Sequence, residues 1–146
     1  MDRLKIENCE RDRGPGSFIW FRHLPQTEAL ELFNRVKQRL NLPARLDGLN
    51  TLKVIRDRSA HSRGVNAEDE EFDLQRVLGG FQLPERVFLN WYRFDDLDEV
   101  RFDDLRSKFD DLWYPASDDL EVLDPNLGWI LSIDHSGNIY LLDLAP

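Results

Sequence analysis

The chain of 146 residues and 17.2 kDa has the size of a single domain, 1–146, and its 41% apolar content suffices to fill one core. Nineteen Lys and Arg against 28 Asp and Glu leave a net charge of −9, which argues against a nucleic-acid or anionic-membrane surface and admits a basic partner. One cysteine, Cys9, excludes an internal disulfide framework and a four-cysteine zinc site. The expected location is cytoplasmic, because Met1 to Glu7 lacks the apolar stretch of an export signal and no apolar run is long enough for a membrane span.

Taken in chain order, Gly14-Pro15-Gly16 makes a turn, and Ser17-Phe18-Ile19-Trp20-Phe21 after it predicts a strand over 17–22. Thr27 reads as the cap of a helix in which Leu30, Phe33, Val36 and Leu40 recur at helical steps as far as Pro43. Asp47-Gly48 suggests a turn, Leu52 to Ile55 a short strand, and Arg56 to Asn66 a basic loop. Asn66 is placed to cap a second helix, with Glu68, Asp69 and Glu70 in its first turn and Gly79-Gly80 at its end. Val87 to Tyr92 reads as a buried strand.

The composition then changes. Residues 1–93 hold 14 acids and 16 bases, whereas 94–124 hold 12 acids and three bases, so this segment carries as much net negative charge as the whole chain. Phe-Asp-Asp-Leu occurs at 94–97, 102–105 and 109–112, and the spacing predicts an amphipathic helix over about 99–111 with Phe102, Leu105, Phe109 and Leu112 inward. The aromatics among the acids mark a folded segment and not a disordered tail. Strands follow at 120–123, 129–133 and 139–142, the last two joined through the turn at Ser136-Gly137-Asn138. The expected class is α+β, an antiparallel sheet of about five or six strands packed against two or three helices.

Catalytic chemistry is weakly encoded. Adjacent aspartates such as Asp95/Asp96, Asp103/Asp104, Asp110/Asp111 and Asp118/Asp119 diverge on a helix, and no EF-hand spacing is present. His23, His61 and His135 have no zinc-type spacing, and adjacency on a tight turn argues against a relay of His135 with Asp134 and Ser136. No nucleophile elbow, phosphate loop or dinucleotide fingerprint occurs, so the sequence implies no metal and no cofactor, and the enzyme reading is the minor one.

The favoured surface is an acidic, aromatic one. Asp103, Asp104, Asp110, Asp111, Asp118 and Asp119 would attract a cationic protein, with Trp113 and Tyr114 as anchors.

Leu83-Pro84-Glu85-Arg86-Val87-Phe88-Leu89-Asn90 resembles the Leu-Pro element of the SUKH superfamily, and Ile130 to Ile139 is similar to that family's strand, glycine turn and strand. Here the Leu-Pro pair lies mid-chain, without the Gly-Gly that follows it in the family. The resemblance implies a small α+β immunity protein of bacterial type that neutralises a toxin, often a nuclease. The expectation is therefore a protein that blocks a basic partner. The alternatives are a small metal-dependent hydrolase using the Asp pairs, and a regulatory or scaffold domain with a small-molecule pocket.

Overall fold

Seven antiparallel strands form one sheet whose two faces are both covered, as seen in a computed structural model that describes all 146 residues. The chain runs α1 (Arg3–Arg13), β1 (Phe21–His23), α2 (Gln26–Arg39), α3 (Gly48–Arg58), β2 (Ala60–Asn66) and α4 (Leu74–Val77). It continues through β3 (Arg86–Tyr92), β4 (Asp96–Arg101), α5 (Phe102–Ser107), α6 (Phe109–Leu112), β5 (Leu120–Leu123), β6 (Trp129–Ile133) and β7 (Asn138–Asp143). The strand order is β1-β4-β3-β5-β6-β7-β2. The expected α+β class is correct, with seven strands and six helices, five of them short or unforeseen.

Alternation along the strands divides the core in two. Val87, Leu89, Leu120, Val122, Leu131 and Ile133 face one way and pack with Leu74, Leu105, Phe109, Leu112 and Trp113. Leu97, Leu123, Ile130 and Leu142 face the other way, against Leu32 and Val36 of α2 and Ile55 of α3. Because both faces are covered, β5 and β6 are buried along their whole length.

Several local expectations are corrected. The strand expected at 17–22 shrinks to β1, paired through Phe21, Arg22 and His23 with β4. The short strand expected at 52–55 lies inside α3, which begins because the Asp47 side chain accepts from the Asn50 amide at 2.8 Å. The basic stretch from Arg56 to Asn66, expected to be a loop, is the end of α3 followed by β2, a polar edge strand with a register shift between His61 and Asn66 and Gly64 at φ 78°. The helix expected from Asn66 is reduced to the single turn α4, because Asn66 caps a tight turn instead and its Oδ1 accepts from Glu68 N at 2.9 Å. The helix expected over 99–111 starts later: β4 occupies 96–101, and Lys108 at φ −125° separates α5 from α6. β4 is reached by a turn through Arg93 and Phe94, both at positive φ, without the Asn or Gly that would announce a hairpin. The expected Thr27 cap lies one residue inside α2, which follows Pro25.

Gly137 in the last hairpin has φ 77°, and a Cβ there would stand 2.0 Å from Asn66 Oδ1. Gly137→Ala is expected to lower stability by about 1–3 kcal/mol in a urea titration, through the left-handed backbone and the loss of the bond from Asn66 Nδ2 to Ser136 O.

Candidate functional site

The eight residues expected at a partner surface separate into three groups. Trp113 is only 2% exposed: it stacks on Phe109 and donates from Nε1 to Asp118 O at 3.0 Å. The expectation of a surface anchor at Trp113 is therefore corrected, since the Phe-Asp-Asp-Leu helix ends there and turns the indole into the core. Tyr114 and Asp118 surround a buried cation. Lys5 of α1 is 3% exposed, and its Nζ donates to Leu112 O at 2.7 Å and to Asp118, lying 4.2 Å from the Tyr114 ring centre. Asp118 also accepts from the Tyr114 amide. Asp111 faces Arg13 Nη1 at 3.2 Å. These three side chains hold α1 to the body of the protein.

Asp103, Asp104 and Asp110 form the second group, and the fold brings others to them. The turns before α4 carry Glu68, Asp69, Glu70 and Glu71, and these line the same groove as the α5 and α6 aspartates. Its widest part, of about 860 Å³, is bounded by five acids, Glu70, Glu71, Asp73, Asp103 and Asp104, with Phe72, Ser107 and the two bases Arg76 and Arg106. Arg106 donates to both oxygens of Asp73, at 2.9 and 3.2 Å, and this pairing holds the Asp73 carboxyl below the usual carboxylate range. Phe72, half-buried, packs tilted against Phe109 with ring centres 5.0 Å apart and supplies the apolar floor. The sequence displays the 68–71 acids, but a pairing to residues more than 30 positions away leaves no local signal.

Asp119, the remaining residue, lies at a different place: its Oδ1 accepts from the His135 amide at 2.8 Å and stands 3.1 Å from His135 Nδ1. The two flank a cleft of about 560 Å³ between α3 and the sheet, lined also by Lys53, Arg56, Glu121 and Asp134. Glu121 of the cleft belongs to a row of polar residues in direct register, Asn90, Glu121, Ser132, Tyr140 and His61, one from each of five neighbouring strands. Arg56 covers it, stacked 3.8 Å from the Tyr140 ring centre and 3.6 Å from Asp134 Oδ2. Glu121 Oε2 accepts from Asn90 Nδ2 at 2.8 Å. Burial nonetheless pushes the Glu121 carboxyl up to about 7, against the opposing pull of the Asn90 bond and the Arg56 charge. Such a carboxyl can hold or release a proton near neutrality.

No helix is long and apolar enough to cross a membrane. Comparison of the chain with protein-family models, with curated proteins and with solved structures finds no match.

Proposed function

We propose that the protein binds and neutralises a basic protein partner, of the nuclease-toxin kind that the SUKH resemblance implies, through the acidic groove between the 68–73 turns and α5–α6. One observation carries this reading: two acidic stretches far apart in sequence converge on one groove with an aromatic floor. Clustered carboxylates steer a cationic surface into contact, while burial of Phe72 against the partner would lengthen the complex's lifetime. No cofactor enters this reading.

The test is a pull-down from a lysate of the source organism with the wild type beside Asp103→Lys/Asp110→Lys. Both positions are exposed, so the reversal leaves the fold intact. The expected result is a basic protein retained by the wild type, released by a salt step and lost from the variant. With that protein in hand, the variant should associate about ten- to a hundredfold more slowly at low salt. Equal retention by both proteins would remove the groove from the interface.

A second reading, a small-molecule site in the cleft over Glu121, is supported by the row of buried polar groups that the sheet holds there. A thermal-shift screen of small polar ligands against wild type and Glu121→Gln tests it: stabilisation lost in the variant would support the reading, and no stabilisation of either would count against it.

A further inference from the structure

The pairing of β1 with β4 sets His23 directly opposite Asp98, and Asp96 lies two residues earlier in β4, on the same side of that strand. His23 Nδ1 is 3.0 Å from Asp98 Oδ1 and 3.7 Å from Asp96 Oδ1, and the three donor atoms lie within 4.8 Å of one another. A tetrahedral ion with bonds of about 2.0–2.2 Å needs donors about 3.3–3.6 Å apart, so the two measured spacings bracket that edge.

One feature leaves room for a further electrophile, beside the buried Met1 amino group that stands 3.8 Å from Asp96 Oδ1. Asp96 Oδ1 is buried and accepts no hydrogen bond, a costly state for a carboxylate oxygen. Asp98 is fully buried, yet one of its oxygens is left for His23, because the other accepts from Trp91 Nε1 at 2.9 Å and faces the Met1 amino group at 2.5 Å. The Trp91 bond fixes the rotation of the carboxylate, the role that outer hydrogen-bond partners play around metal ligands.

We propose that His23, Asp96 and Asp98 form a binding site for a divalent transition-metal ion of the zinc class, opened to solvent on the His23 side. The imidazole nitrogen selects such an ion over Mg²⁺ or Ca²⁺, which take oxygen donors. His23 is 57% exposed, leaving a path of entry and a coordination position for water. The site lies on the β1 edge of the sheet and uses none of the groove residues, so it stands or falls separately from the partner-binding reading.

Calorimetric titration of the full chain with ZnCl₂, followed in parallel by tryptophan emission, tests the site. One saturable zinc site is expected, with a change in emission from Trp91 and no saturable heat from MgCl₂ over the same range. His23→Ala and, separately, Asp96→Asn should each weaken zinc binding by more than about tenfold, with unchanged far-ultraviolet circular dichroism. Trp91→Phe should abolish the emission change and weaken binding by about tenfold. Absence of saturable zinc binding by the wild type overturns the proposal. So does binding that survives both His23→Ala and Asp96→Asn, which would place the ion at another surface histidine.

Discussion

Lys5→Ala is expected to destabilise the protein by about 3–5 kcal/mol and to lower Tm by roughly 10 °C. Lys5 is buried between Asp118, Leu112 O and the rings of Tyr114 and Trp91, and its removal leaves the Asp118 carboxylate at 18% exposure without its cation. Breaking one side of a buried pair costs far more than the pair contributes in total, because the remaining charge has no water to replace its partner. Lys5→Ala combined with Asp118→Asn should therefore recover part of the loss. Urea titrations of the single and double variants measure this; equal losses in both would show that Asp118 does not depend on Lys5. Besides Lys5, α1 is docked by the Arg13–Asp111 pair and by Cys9, its only other buried side chain, while Leu4 points to solvent.

Glu121→Gln should stabilise the protein at alkaline pH and leave it nearly unchanged in acid. The folded-state pKa of about 7 lies above the ordinary 4.5, so between these values the native state binds more protons than the unfolded chain. Stability from this group is full below pH 4.5 and is lost as pH rises through 7, by about 3 kcal/mol in all. Glutamine keeps an acceptor for Asn90 Nδ2 and carries no charge to bury. Urea titrations at pH 4.5 and pH 8 check the sign: a gain of about 3 kcal/mol is expected at pH 8 alone, and a gain equal at both values would refute ionisation of Glu121 as its cause.

These two sites show where sequence reading succeeds and where it stops. β5, β6 and β7 were legible as apolar runs joined by turn residues, and α2 as a three- and four-residue period, because in them burial itself writes the pattern. α1 has no apolar stripe to read; a lysine docks it, so its periodicity is silent. β4 sends Leu97 and Val100 to opposite faces of the sheet among acids, a spacing that does not read as a strand, and only pairing with β3 and β1 makes it one.

The candidate sites follow the same rule. The acidic character of 94–124 was visible, and Asp103, Asp104 and Asp110 do face a groove, but half of that groove comes from 68–73. Glu121 is one acid in an apolar strand, and its burial follows from the helix laid over it. His23 stood alone in sequence because its partner Asp98 lies 75 residues away and is reached only through strand register.

The most direct test of partner binding at the groove is zero-length carbodiimide crosslinking, which joins carboxylates to lysines, applied to the wild type with its captured basic partner and read by mass spectrometry. The account predicts crosslinks concentrated at Glu68 to Asp73, Asp103, Asp104 and Asp110. Crosslinks confined to carboxylates outside the groove, such as Asp95, Asp119 or Asp143, would contradict it.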